Sequence, residues 1–279
     1  MFDPIIAALT QGRAVPYLGP AVLSLAGENC TLPAGPQTLV GRLTAAASVP
    51  HKIRNNLTAA AQFIENFKHR KTVSKVLSET FRSTVPPTDL HRQLAALPRL
   101  AMLVHAWYDD LPQRALAGRA GWGMAQGVSQ AEHSGGEWVH YFNADGSAAN
   151  AEQAASWPTL LYQPLGSVTP AANFLVSDSD FVEVLTEIDI QTPIPKTVQE
   201  RRDGRNFLFL GCRFDTQVDR AFASQIIKRS SDRHWAVLPE TPTKNEARFL
   251  AQHNIQRIDV PLSSFVETLA AGLPQPATA

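Results

Sequence analysis

Cysteine is scarce in this chain, with Cys30 and Cys212 the only two in 279 residues. Two cannot build a four-cysteine zinc site or a disulfide framework. Cys212 lies in the apolar run Phe207 to Phe214 and reads as a buried free thiol, a usage that suits a reducing compartment. An excess of one charge is missing too. Lys+Arg and Asp+Glu stand at 25 each, so nothing marks an electrostatic footprint for nucleic acid or an anionic membrane. No apolar run approaches the ~20 residues that span a bilayer, and Met1-Phe2-Asp3-Pro4 lacks the basic region of a signal peptide. These absences predict a cytoplasmic protein with neither nucleic-acid nor membrane partners. Gly-x-Ser-x-Gly, Walker and His-Glu-x-x-His motifs are absent, and the histidines show no metal-ligand spacing. No metal is therefore expected.

Apolar residues make up 44% of the chain, enough for a full core and too many for global disorder. The length fits one domain, residues 1–272, with insertions and a frayed tail at 273–279. Asp3-Pro4 predicts a helix start with Asp3 as cap, and Gly12 a stop. Ala14 to Leu18 reads as a buried strand running into the tight Gly19-Pro20 loop. Residues 36–85 read as a helical insertion: Leu57, Ala60, Ala61, Ile64 and Phe67 follow helical spacing, as do Val73, Val76, Leu77, Thr80 and Phe81. The basic cluster Lys68, His69, Arg70, Lys71 and Lys75 between them reads as a solvated helix surface.

Leu90 to Leu97 predicts a short helix and Leu100 to Trp107 a buried strand. Residues 118–158 are rich in Gly, Ser and Ala with scattered tryptophans and read as a second insertion. Within it, Trp138 to Phe142 before Asn143-Ala144-Asp145-Gly146 predicts a hairpin. The last third alternates regularly: helix 178–188, strand 206–210, helix 216–229, strand 234–238, and a helix opened by the Thr243/Glu246 capping box. A strand at 257–260 and a helix opened by a Ser264/Glu267 capping box complete it. Alternation of this kind implies an α/β fold, a doubly wound, mostly parallel sheet of Rossmann-like plan. Ligands of such sheets sit beyond the carboxyl ends of the strands, at a topological switch point, which directs attention to the loops after Leu18, Val104, Leu210 and Leu238.

Four landmarks follow one another along the chain: Val15-Pro16-Tyr17-Leu18-Gly19, Trp107-Tyr108-Asp109-Asp110-Leu111, Leu161-Tyr162-Gln163-Pro164-Leu165-Gly166-Ser167, and Leu208-Phe209-Leu210-Gly211. Asp89-Leu90-His91 precedes the second and Ser179-Asp180-Phe181 follows the third. Over about residues 3–271 the chain resembles the sirtuin-like domain family. The resemblance implies a Rossmann-like fold that binds NAD, and either acyl transfer from lysine to ADP-ribose or NAD hydrolysis, the latter often in bacterial defence. It implies a cofactor-binding set of Gly19, Ser24, Trp107, Tyr108, Asp109, Gly166, Ser167, Gly211 and Arg213, with NAD or ADP-ribose as the ligand.

Tested position by position, the resemblance weakens where the chemistry lies. The family's first loop reads Gly-Ala-Gly; here it is Gly19-Pro20-Ala21-Val22-Leu23-Ser24. Pro20 has no amide hydrogen for a pyrophosphate, and the Ala21 methyl obstructs close approach. Trp107 stands at the family's asparagine and has one donor and no acceptor. It either fills the nicotinamide pocket as a core aromatic or stacks on a flat ligand. Leu165 stands at the family's histidine and cannot take a proton. Gly166 and Ser167 read as a turn, and Asp109 as a cap for the next helix. Arg213 replaces a serine; it could grip a phosphate or carboxylate bidentately or pair with Asp215 or Asp219. His105, two residues before Trp107 and on its face by strand alternation, is the one candidate for a substitute base.

Three readings follow. The first is a pseudoenzyme that keeps the fold as a nucleotide-sensing module. The second is a protein-interaction component, with a protein partner or a second copy on the aromatic stretch 118–158. The third is an active NAD-consuming enzyme with displaced residues.

Overall fold

The computed structural model describes residues 2–131, 137–190 and 194–273. Helix α1 (Asp3–Thr10) has Phe2 at its cap position and no side-chain cap. Asp3 therefore lies inside the first turn, where its charge faces the positive helix end. Gly12, at φ +71°, turns the chain out of the helix. A Cβ there would meet the Arg99 carbonyl at 2.6 Å. Strand β1 (Ala14–Leu18) is buried throughout and passes into a 3-10 turn, Pro20–Ala26. The helical stretch comprises α2 (Pro36–Ala46), α3 (Leu57–Lys68) and α4 (Arg70–Phe81), followed by α5 (Asp89–Ala95).

The sheet-forming remainder runs β2 (Met102–His105), α6 (Leu111–Leu116), β3 (Trp122–Gly127), β4 (Val139–Asn143), β5 (Ala148–Ala149), α7 (Ala151–Ser156) and β6 (Thr159–Gln163). A small antiparallel pair, β7 (Gly166–Ser167) and β8 (Asn173–Phe174), precedes α8 (Asp178–Ile190) and α9 (Lys196–Arg202). The final alternation is β9 (Asn206–Leu210), α10 (Gln217–Ile227), β10 (His234–Val237), α11 (Lys244–Gln252), β11 (Ile255–Ile258) and α12 (Leu262–Gly272).

The main sheet has the order β11-β10-β9-β1-β2-β6-β3-β4-β5. Every pair from β11 to β3 is parallel, and β4 and β5 add antiparallel strands at one edge. This is the doubly wound, mostly parallel α/β sheet that the alternation predicts. Period-two alternation splits the core by face. Val15, Tyr17, Val104, Phe207 and Phe209 join one cluster; Leu18, Leu103, Leu208 and Leu210 join the other. The chain winds from β1 toward β2 on one side, then returns to place β9 on the other, so the switch point lies between β1 and β9.

Several expectations need correction. Residues 118–158 do not hang from the sheet: β3 pairs with β6 and β4 within it, and the expected hairpin, β4–β5, forms its edge. The last strand lies two residues earlier than the apolar pattern implied. Helix α12 starts at Leu262 with Pro261 at its cap, so Ser264 is inside the helix and caps nothing. Of the basic cluster, Lys68, Lys71 and Lys75 are exposed. Arg70 instead bridges Glu65 at 3.0 Å and Asp180 at 2.8 Å and donates to the Phe174 carbonyl, fastening the helical layer to β8 and α8. The tail beyond Leu273 lies outside the described residues. Among them, no helix is long and apolar enough to cross a membrane and no cluster could hold a metal ion.

Candidate functional site

A crevice of about 320 Å³ opens at the switch point. Its walls come from Tyr17 at the end of β1, the first loop, the segment Ala34–Gln37, Leu165, and the β9–α10 loop with the first turns of α10. The rings of Tyr17, Phe181, Phe214 and Phe222 make the surface largely apolar, and Asp215 and Asp219 bring carboxylates.

The first loop has few amides to offer. Gly19 N–H donates to the Leu210 carbonyl at 2.9 Å, Ala21 N–H to Gly211 at 3.0 Å, and Val22 N–H to Gly19 at 3.3 Å; Pro20 has none. Two glycines interlock here. A Cβ on Gly19 would lie 2.5 Å from the Gly211 carbonyl, and one on Gly211, at φ +65°, would lie 2.5 Å from the Val22 nitrogen. Backbone occupies the space that such glycines leave for phosphate in a dinucleotide site. Ser24 spends its hydroxyl on the Ala21 carbonyl at 2.7 Å and faces the neighbouring cleft toward Val237 and Leu238.

Trp107 is buried in the larger core. Its indole donates to the Pro33 carbonyl at 2.9 Å and packs edge-on against Phe81 at 5.8 Å. The core-filling alternative is thus the one the molecule adopts, and no face is left for a stacked ligand. Tyr108 is buried with its hydroxyl on the Leu175 carbonyl at 2.7 Å, and burial pushes its pKa up. Asp109 accepts the Leu111 amide at 3.1 Å at the start of α6. Its other oxygen lies 3.1 Å from His105 Nε2. Burial would raise its pKa, but the adjacent His105 and the Leu111 amide outweigh that and hold it low.

His105 is fully buried and does not share the face of Trp107. It continues the Leu103 side of β2, because the strand ends at His105 and the backbone turns before Trp107. A base for a crevice substrate cannot work from there. Gly166, at φ +78°, lets the β7–β8 turn close against the Asn173 carbonyl. Ser167 is buried near Gln113. Both serve the fold and do not line the crevice.

Arg213 reaches neither Asp215 nor Asp219. It forms a two-pronged pair with Glu246 of α11, Nε to Oε1 and Nη2 to Oε2, each at 2.9 Å. Glu246 also accepts the Phe214 amide and caps its own helix through Thr243 N–H. Burial opposes its charge, yet Arg213 and these amides draw its pKa down to about 2. The structure therefore gathers Gly19, Leu165, Gly211 and Arg213 around the crevice and keeps Trp107, Tyr108, Asp109, His105, Gly166 and Ser167 in the interior.

Sequence reasoning missed Asp219 as a site residue. It sits at the third position of α10, where its amide donates to the Thr216 hydroxyl at the cap and that hydroxyl donates to its Oδ2 at 2.6 Å. Burial, with Asp215 beside it, lifts its pKa to about 6. The Thr-x-x-Asp spacing signals a cap, whereas crevice membership depends on topology.

The sheet is doubly wound and an apolar crevice lies at its switch point, the place where ligands of such folds bind. A model of the SIR2-like domain matches residues 101–258, more than half of the chain, and the chain belongs to the SIR2-like domain family. The match spans β2 to β11 and leaves the first loop outside. A solved structure described as "Structural Basis for the Mechanism and Regulation of Sir2 Enzymes" is similar over 96% of this chain and 95% of its own, at 11% identity and a TM-score of 0.43. No curated protein matches.

Proposed function

We propose that this chain is a catalytically degenerate SIR2-like module that binds a nucleotide-type ligand in the switch-point crevice without turning it over. The observation that carries this reading is Leu165 in the crevice wall. The resemblance puts the family's base at that position, and a hydrocarbon there has no lone pair. Losing a general base typically costs about 10²–10⁴ in rate. Trp107 adds to the loss, since its only polar atom is committed to Pro33. The test pairs a thermal-shift titration of NAD and ADP-ribose and their fragments with a nicotinamide-release assay over long incubation. Binding without release is expected, and release by the purified wild-type chain would overturn the reading.

One observation favours a second reading, an active NAD-consuming enzyme. Asp219 lines the crevice with a pKa near neutrality and could take a proton where His105 cannot. Nicotinamide release abolished by Asp219→Asn is that reading's signature. A protein-interaction role would fall to the aromatic edge hairpin β4–β5, where Trp138, His140 and Phe142 border an open cleft. Loss of a captured partner on replacing Trp138 and Phe142, with the fold intact, would support it.

A further inference from the structure

We propose that the crevice selects a phosphate-free ligand of nucleoside size, a flat ring carrying hydroxyl or amine donors, and that Asp219 is the group that receives those donors. The inference rests on the crevice being a nucleotide-type ligand site and narrows what that ligand is.

Size is the first constraint. About 320 Å³ lies at the small end of the ~300–1,000 Å³ usual for ligand pockets. The walls come next: Tyr17, Phe181, Phe214 and Phe222 line the space, and aromatic walls favour a flat, apolar-faced group.

Charge then argues against phosphate. The amides of Gly19, Ala21 and Val22 are spent on backbone carbonyls, Pro20 has no amide, and the interlocked Gly19 and Gly211 leave no cradle. Arg213 is neutralised by Glu246, with Glu240 at 3.6 Å besides. Arg220 keeps its charge but points Nη1 at the carbonyls of Phe214 and Asp215 and does not line the crevice. The amino end of α10 would otherwise attract an anion, but Asp215 and Asp219 stand there, and a phosphate would meet two carboxylates with no uncommitted cation among the crevice residues. Like charges brought together in a partly desolvated site repel strongly.

The same carboxylates suit a donor-bearing ligand. Asp219 is partly buried; its Oδ2 accepts the Thr216 hydroxyl at 2.6 Å, and the Thr216 amide also bonds the carboxylate. An ionised carboxylate offers about four lone-pair sites, so these two bonds leave acceptor capacity for a ligand's donors. A vicinal diol or an amine satisfies a carboxylate in the way an acidic residue holds ribose hydroxyls elsewhere.

The experiment is isothermal titration of the full chain with adenosine, guanosine, uridine and nicotinamide riboside, each against its 5′-monophosphate, together with ADP-ribose and NAD. At least one nucleoside is expected to bind about tenfold or more tighter than its monophosphate. Asp219→Asn is expected to weaken that nucleoside about 10- to 100-fold, the scale of a lost hydrogen bond to a charged group. A monophosphate, ADP-ribose or NAD binding as tightly as the best nucleoside overturns this inference and leaves the nucleotide-site reading standing. Silence across the whole panel overturns both. Unchanged nucleoside affinity in Asp219→Asn removes Asp219 from the proposal. Should that variant not fold, the wild-type panel decides between the outcomes by itself.

Discussion

The indole nitrogen of Trp107 donates to the Pro33 carbonyl at 2.9 Å, and the residues that follow Pro33, Ala34 to Gln37, form one wall of the switch-point crevice. The Trp107 side chain thus supports the crevice from behind instead of entering it. Trp107→Phe keeps the packing against Phe81 and Tyr108 but strands the carbonyl. An unmade buried hydrogen bond costs about 1–3 kcal/mol, measurable by urea denaturation. Trp107→Asn also empties the space of a large ring and should cost about 3–5 kcal/mol. It should not release nicotinamide from NAD even when combined with Leu165→His, because the first-loop amides remain committed. Activity in that double variant would show that Trp107 and Leu165 alone keep the chain from turning NAD over.

Arg213 and Glu246 join the β9–α10 loop to α11. Glu246 has no exposed surface, while Arg213 is about a third exposed. Arg213→Met leaves the carboxylate buried with only backbone amides, and should cost about 2–3 kcal/mol, less than a fully buried pair because Arg213 is partly solvated. The pH behaviour has a definite sign. The Glu246 pKa is lowered from 4.5 to about 2, so its contribution is complete above 4.5 and is lost as pH falls toward 2. Arg213→Met should flatten that part of an acid-denaturation curve.

Much of this arrangement was legible in sequence and some was not, for local reasons. The Thr243/Glu246 capping box is observed as the spacing predicts. Glu246's second role was hidden because its partner lies on another loop, and nothing local links the two. Strand β3, Trp122-Gly123-Met124-Ala125-Gln126-Gly127, was missed because two glycines lower strand propensity. Their reasons are tertiary. A Cβ on Gly123 would lie 2.5 Å from the Trp157 ring, and one on Gly127 2.1 Å from the Pro164 carbonyl. The four ordered landmarks located the crevice because they follow strands, whose apolar runs are the strongest local signal. Which landmark side chains enter it was set by where each strand ends, as His105 and Trp107 illustrate.

His91 gives a second acid transition. Its Nδ1 accepts the Thr88 amide at 3.3 Å and lies 2.7 Å from the Thr88 hydroxyl, the place a glutamate holds in a capping box. Only the neutral ring can accept. Burial, more than the opposing pull of Asp109, lowers its pKa from 6.5 to about 4. The unfolded chain therefore takes up a proton before the folded one does. The His91 contribution is complete above pH 6.5 and falls away between 6.5 and 4, by about 3 kcal/mol. Melting temperature should decline through that window, and His91→Gln should decline less steeply.

Gly211 is the backbone counterpart of these side-chain contacts. At φ +65° with the Val22 nitrogen 2.5 Å from a Cβ, Gly211→Ala is strained in conformation and in space. It should cost more than the ~1 kcal/mol of an ordinary positive-φ glycine. The β9–α10 loop must also shift off the first loop, which should expose the amides of Gly19 and Ala21. Faster hydrogen exchange at those two amides, while the β9 amides stay protected, is the expected signature. Uniform acceleration across β9 would mean that the sheet itself had loosened.

Ligand affinity should follow the Asp219 carboxylate. Burial lifts its pKa from 3.8 to about 6, Asp215 adds to the rise, and Thr216 and Arg220 oppose it. Tyr17 and Cys212, which also line the crevice, are pushed up by burial and stay neutral through this range. Arg213 faces Glu246 and holds its charge. Asp219 is thus the crevice group that changes charge near pH 6. Only the ionised carboxylate can accept donors with both oxygens, and below pH 6 one oxygen carries the proton. Affinity for a donor-bearing nucleoside should rise with pH through about 6, by up to tenfold per unit below that value, and level off above it. Asp219→Asn should bind weakly with no such dependence. An affinity that falls with rising pH would mean that the ligand itself carries the acceptor and that the protonated acid is the binding form.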